Sequence, residues 1–182
     1  EHCLPERQIH NRTTIEAILM TSYSVSIAPM MDWTDKHCRY FYRLLSQCTQ
    51  LYTEMITSKA ILKGDKNRLL DYNAVEHPLV LQIGGSDPVE MAECAVIAKN
   101  WGYDEVNINV GCPSERVMLG SFGACLMREP DLVASCVESM SEACDIPVSV
   151  KSRIGIDEME SYEQLSDFVY RIHKKGCQHF II

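Results

Sequence analysis

The chain has 182 residues, 46% of them hydrophobic and 23% charged, with a formal net charge of -8. That is the balance of an ordinary globular protein and not of a disordered chain, and the excess of acidic groups argues weakly against a nucleic-acid partner, since phosphate binding draws on Lys and Arg. No apolar run approaches the roughly 20 residues needed to cross a bilayer, and the opening stretch Glu1 to Glu6 lacks the basic start and apolar core of a signal peptide, so neither export nor membrane spanning is expected.

Residues 1–22 mix charged groups, Thr and Asn around one short apolar patch, Ile15 to Met20, and read as an N-terminal extension or docking helix. From residue 23 to 182 one pattern repeats: a short apolar or β-branched run, a polar turn, then a helical stretch. The expected strands are Ser24 to Met30, Leu51 to Ile56, Pro78 to Gly84, Glu105 to Gly111, Pro147 to Arg153 and Gln178 to Ile182. Between them apolar residues fall at helical spacing, as in Val133, Cys136, Val137, Met140 and Cys144, and again in Tyr162, Leu165, Val169 and Ile172. Asp87-Pro88-Val89-Glu90 and Ser161-Tyr162-Glu163-Gln164 read as capping boxes, and Gly102 and Gly176 suit helix C-termini.

Strands alternating with helices at roughly 27-residue intervals imply parallel strands joined by crossover helices, in a barrel or a doubly wound sheet. A dinucleotide-binding sheet would carry G-x-G-x-x-G after its first strand, where this chain has Ala28-Pro29-Met30-Met31-Asp32-Trp33. No phosphate-binding G-x-x-x-x-G-K-[ST] loop and no H-E-x-x-H zinc helix is present either. The expected fold is therefore α/β, a TIM (β/α)8 barrel of which only about the first five and a half β/α units are present. The chain closes on Phe180-Ile181-Ile182, inside an expected strand, and is expected to be incomplete.

The nine cysteines form no C-x-x-C or C-x-x-H pair, which favours a reducing, cytoplasmic setting and mostly buried thiols, with no metal site. In a β/α barrel the chemistry sits where strands end, so polar groups there carry weight. Alternation sends Asn107 and Asn109 to one face of a strand, an expensive burial unless they bind something. Gly111 allows close backbone approach just before Cys112, and Gly120 to Cys125 has the glycines of a loop able to order over a substrate. Lys151 would place an ammonium group at the same mouth, and Gln82 offers a donor and an acceptor. A structural turn with a buried thiol, a solvated lysine and a satisfied core glutamine are the competing readings.

Several motifs in fixed order then carry a resemblance: Ala28-Pro29-Met30-Met31-Asp32-Trp33-Thr34-Asp35, His37-Cys38-Arg39-Tyr40-Phe41, Tyr52-Thr53-Glu54-Met55, Leu81-Gln82-Ile83-Gly84-Gly85-Ser86, Asn109-Val110-Gly111-Cys112-Pro113-Ser114 and Lys151-Ser152-Arg153-Ile154-Gly155. From about Ile27 to its end the chain resembles the tRNA-dihydrouridine synthase family, bacterial A type. The resemblance implies an FMN-binding TIM barrel with a helical C-terminal domain that reduces uridines in the D-loop of tRNA using NADPH. It implies that Pro29, Met30 and Met31 pack on or hydrogen-bond the flavin, that Gln82 and Lys151 contact its polar edge, that Asn109 approaches the uracil and that Cys112 is the general acid. Hydride would pass from NADPH to FMN and on to C6 of uracil while the thiol protonates C5. A free cysteine, with a pKa of about 8.5, holds its proton at neutral pH as that role requires. The family's later histidine and glycine-rich phosphate loops lie beyond this chain, and His179, inside an expected strand, takes no such role. Another flavin barrel acting on a free pyrimidine or activated alkene, or a non-catalytic tRNA-binding module, are the alternatives.

Overall fold

Short β-branched runs flanked by Asp, Ser and Thr caps set the element order in a computed structural model that describes residues 25–114, 117, 120–159 and 161–182. The expected N-terminal extension lies outside the described residues. The elements are β1 (Ser26–Ile27), α1 (Lys36–Leu45), β2 (Gln50–Tyr52), β3 (Ile56–Thr57), α2 (Ser58–Lys63), α3 (Lys66–Leu69), β4 (Leu79–Gly84), α4 (Pro88–Trp101), β5 (Glu105–Val110), α5 (Pro130–Ala143), β6 (Val148–Ser152), α6 (Tyr162–His173) and β7 (His179–Ile181), with 3-10 turns at Ala74–Glu76 and Gly123–Arg128.

Every named strand pairing is parallel, and the strands stand side by side in chain order, β1-β2-β4-β5-β6-β7, with β3 also on β4. A doubly wound sheet reverses its order part-way. This one never does, so it is the arc of a TIM (β/α)8 barrel, with each helix returning the chain over the outer face. Val106, Ile108 and Val110 of β5 point outward and are buried with Leu79, Leu81 and Ile83 of β4 under Met91, Val137 and Met140 from α4 and α5. Each such fully buried aliphatic side chain contributes roughly 1.5–3 kcal/mol.

The expected second strand is two. Leu51 and Tyr52 pair with Leu79 and Val80, and Ile56 and Thr57 pair with Ile83 and Gly84, so Thr53, Glu54 and Met55 stand opposite only Leu81 and Gln82. That surplus residue is a β-bulge, which re-aims the side chains around it. The Thr53 hydroxyl holds the bulge by accepting the Gln82 N–H (3.0 Å) and donating to the Glu54 carbonyl (2.7 Å).

Helix ends follow the expected caps with one correction. Ser161 and Gln164 form the full box on α6, and Gly102 ends α4 at φ 91°. Asp87 caps α4 alone, accepting the N–H groups of Val89 and Glu90, because the Glu90 carboxylate turns away to accept the Ser58 hydroxyl at 2.8 Å. On α1 the buried residues are Arg39 and Arg43, while Tyr40, Phe41, Leu44 and Leu45 are exposed. Arg39 Nε donates to Glu76 Oε2 (2.6 Å) and Arg43 Nη2 to the Glu76 carbonyl (2.7 Å), so charge pairing decides which face of α1 turns inward.

Candidate active site

The C-terminal ends of the strands converge on a cavity of about 320 Å3, within the range of small-molecule pockets. Pro29 and Met31 follow β1, and Met55 comes from the bulge. Gln82 lies in the last half of β4, Asn109 near the end of β5 with Gly111 and Cys112 just beyond it, and Lys151 and Ser152 end β6 with Arg153 following. One side of the wall is thus apolar and the opposite side carries two amides, a thiol and two cations.

Six expected site residues meet here: Pro29, Met31, Gln82, Asn109, Cys112 and Lys151. Met30 does not. Its N–H donates to Thr34 Oγ1 (3.0 Å) and its carbonyl accepts both the Thr34 hydroxyl (3.1 Å) and the Thr34 N–H (3.0 Å), so a turn over the buried Thr34 consumes its backbone. Met55, Ser152 and Arg153 had no expected role. Met55 enters through the bulge, which no periodicity announces. Arg153 had a signal in its two-residue spacing from Lys151.

Cys112 is held by its backbone. Asn109 Oδ1 accepts the N–H groups of Gly111 (3.1 Å) and Cys112 (2.9 Å), Ala124 N–H donates to the Cys112 carbonyl (2.9 Å), and Arg153 Nε donates to the Gly111 carbonyl (2.8 Å). Gly123, at φ +77°, closes over that carbonyl, where a Cβ would lie 2.6 Å from the Cys112 oxygen. The half-buried thiol points its Sγ at Ser114 Oγ, 3.6 Å away. It also borders a second cavity of about 590 Å3 that Met31 and Met55 share with the first. Cys112 therefore lines both cavities.

Other thiols differ. Burial pushes Cys94 and Cys136 up to about 12 and Cys177 up to about 11, so these are protonated packing groups. The expectation that most thiols are buried is corrected, however: of the eight described cysteines only those three are buried. The loop expected from Gly120 to Cys125 is also narrower, since Gly123–Arg128 is a 3-10 turn with Ala124, Leu126 and Met127 buried, which ties it to the core. Residues 118 and 119 lie outside the described residues.

The two asparagines have protein partners, and Asn109 also lines the cavity. Asn107 is wholly buried, accepting from Gln82 Nε2 (2.8 Å) and donating to Ser149 Oγ (2.9 Å). Asn109 Nδ2 donates to Gln82 Oε1 at 2.9 Å. Gln82 is thus a satisfied interior amide that also reaches the cavity wall, and its burial cost is met by protein partners.

Comparison with known proteins gives the chain a family. The model for Dihydrouridine synthase (Dus) matches residues 26–182. The chain belongs to the dihydrouridine synthase family. A tRNA-dihydrouridine(20/20a) synthase of Shewanella oneidensis is 62% identical over 157 residues, covering 86% of this chain and 47% of that protein. Proteins with the same name from Synechocystis sp. (59% identical over 158 residues, 87% and 47% covered) and Escherichia coli (58% over 162 residues, 88% and 49% covered) are similar to this chain as well. The chain spans about half the length of the curated relatives it matches. No helix among the described residues is long and apolar enough to cross a membrane.

Proposed function

We propose that this chain carries the N-terminal part of the barrel of a flavin-dependent tRNA-dihydrouridine synthase, whose full-length form reduces uridine to 5,6-dihydrouridine in the D-loop of tRNA. The rest of the barrel and a helical tRNA-binding domain would belong to the remainder of that protein, and a cytoplasmic location goes with a tRNA substrate. The observation that supports the reading is that Cys112 lines one cavity with Gln82 and Lys151 and borders a second.

The wall fits a planar heteroaromatic cofactor. Pro29, Met31 and Met55 supply an apolar surface for a ring face, while Gln82 and Lys151 meet a polar edge. FMN, reduced by NADPH, supplies when bound the hydride that goes to C6 of the uracil. The residues of this chain do the rest. Lys151 offsets negative charge at the ring edge, and Arg153 adds a second cation beside it. Asn109 meets the polar edge of the base, which must leave its stack to enter the chamber. Cys112 holds the proton that passes from Sγ to C5, and Ser114 Oγ orients the thiol.

Purified full-length protein is expected to show a flavin absorbance spectrum that NADPH bleaches, and to restore it on adding unmodified transcript tRNA, with dihydrouridine formed in the D-loop. A colourless protein that takes up no added FMN would end the reading. Turnover of free uracil or an enone with none on tRNA would replace it with a small-molecule reductase.

A further inference from the structure

The second cavity, of about 590 Å3, shares Met31, Met55 and Cys112 with the first, and no step of the proposed reaction uses it. Its walls are of two kinds. Ile56, Leu69 and the ring of Phe122 extend the apolar surface of the two methionines, and the ring is closely held, since a Cβ on Gly84 would lie 2.9 Å from Phe122 Cε2. Against that surface stand three charged side chains, Asp32, Glu54 and Arg68. Glu54 is half-buried, and its Oε1 accepts the Asp32 N–H at 2.6 Å, which leaves Oε2 without a donor among the described residues. The exposed Asp32 carboxylate and Arg68 guanidinium have no partner among the described residues either.

A uridine drawn out of an RNA strand brings its covalent neighbours with it, and proteins hold such bases by stacking them on aromatic and apolar side chains and by hydrogen bonds to their Watson–Crick edge. Because Cys112 borders both cavities, the base next to the reacting uridine has the second one within reach. A phosphate does not suit it, since two carboxylates face one cation. A neutral flat ring does, if it presents N–H donors on one edge and acceptors on another. Guanine has that pattern: N1–H and the N2 amino group stand side by side for a carboxylate, and O6 and N7 accept from a guanidinium. Uracil, cytosine and adenine each present a single donor group on the Watson–Crick edge. We propose that the second cavity is a subsite for a guanosine adjoining the uridine that is reduced, with Glu54 reading its Watson–Crick edge and Arg68 its O6 and N7. This rests on the proposed function and adds a sequence preference to it.

Binding without NADPH tests it, by fluorescence anisotropy of full-length protein with labelled transcript tRNA in which the nucleotide on each side of the target uridine is in turn guanosine, inosine or adenosine. Inosine lacks only the N2 amino group. On one of the two sides, inosine is expected to bind about tenfold more weakly than guanosine, the lower end for a hydrogen bond to a charged group. Adenosine, whose N1 is an acceptor, is expected to lose at least as much. Glu54→Gln keeps an oxygen for the Asp32 N–H but turns an amide N–H toward the base, and is expected to lower the preference for guanosine over adenosine at least tenfold. Arg68→Ala removes an exposed side chain with no partner among the described residues to lose, and is expected to lower the same preference at the wild-type melting temperature, so the proposal stays testable if Glu54→Gln fails to fold. A preference that both variants leave intact belongs to the folding of the tRNA and would overturn the proposal, as would equal binding of all the wild-type pairs. An effect of Glu54→Gln confined to the KM for NADPH would also overturn it and give the cavity to the dinucleotide. If uridine is reduced with no preference beside it, the subsite alone fails; if the preference holds and uridine is never reduced, the proposed function alone fails.

Discussion

Gly123→Ala probes the contact that pins the thiol loop. At φ +77° a side chain is strained, at about 1–2 kcal/mol for a left-handed L-residue. The new Cβ would lie 2.3 Å from Val117 Cγ1 and 2.6 Å from the Cys112 oxygen. The valine methyl can rotate aside, but the carbonyl is backbone and already receives the Ala124 N–H at 2.9 Å. Overpacking of this kind costs about 1–3 kcal/mol, and displacing the carbonyl from its donor adds about 1 kcal/mol. The sum is a destabilisation of about 3–6 kcal/mol if the loop holds its place, and a smaller one with a shifted Cys112 if it yields. Urea unfolding of wild-type and variant full-length protein reads the first outcome as a lower midpoint at unchanged slope. Alkylation of Cys112, followed by peptide mass spectrometry, reads the second as an altered rate. A variant with both the wild-type midpoint and the wild-type alkylation rate would refute the claim that close packing at Gly123 holds the thiol.

Three further outcomes follow from the same structure. Lys151→Ala is expected to weaken FMN retention and slow reduction by NADPH, and unchanged flavin content and rate would remove the role given to that ammonium. Glu76→Ala leaves the buried Arg39 without its carboxylate and is expected to cost about 3–5 kcal/mol in denaturant unfolding, because an uncompensated charge then stays out of water. Stability is also expected to fall with alkali. Cys94 and Cys136, raised to about 12 by burial, keep their protons when folded while the unfolded chain loses them above about 8.5. The unfolded state therefore binds fewer protons between those values, and unfolding becomes easier as pH rises from about 9 toward 12. A flat unfolding midpoint across that window would contradict the burial of both thiols.

What sequence reading reached and what it missed have separable causes. The ends of β4, β5 and β6 were legible because an apolar run stops at a polar or glycine residue, and a parallel sheet buried on its outer face cannot shift that boundary without exposing Leu81, Ile108 or Val150. Lys151, Asn109 and Cys112 followed from the same boundaries. The bulge between β2 and β3 was not legible, because Thr53 to Met55 read as a continuation of the strand and the surplus appears only once β4 supplies the register. For the same reason the partners of Asn107 and Asn109 were not legible: alternation put both on one face, but Gln82 and Ser149 lie on other strands and become visible only with pairing. The face of α1 was misleading in composition, since Arg39 and Arg43 turn inward to Glu76 and leave Phe41 and Leu44 outside. Met30 looked equivalent to Pro29 and Met31 until the turn with Thr34 claimed its backbone.

The most direct test of the account separates the two half-reactions in full-length Cys112→Ala protein, by stopped-flow absorbance under single turnover. Bleaching of the flavin by NADPH is expected to proceed at the wild-type rate, while the return of colour on adding tRNA slows by about 100-fold or more, the contribution of a positioned proton donor. Equal slowing of both steps, or a wild-type rate of return, would contradict the assignment of the proton to Cys112.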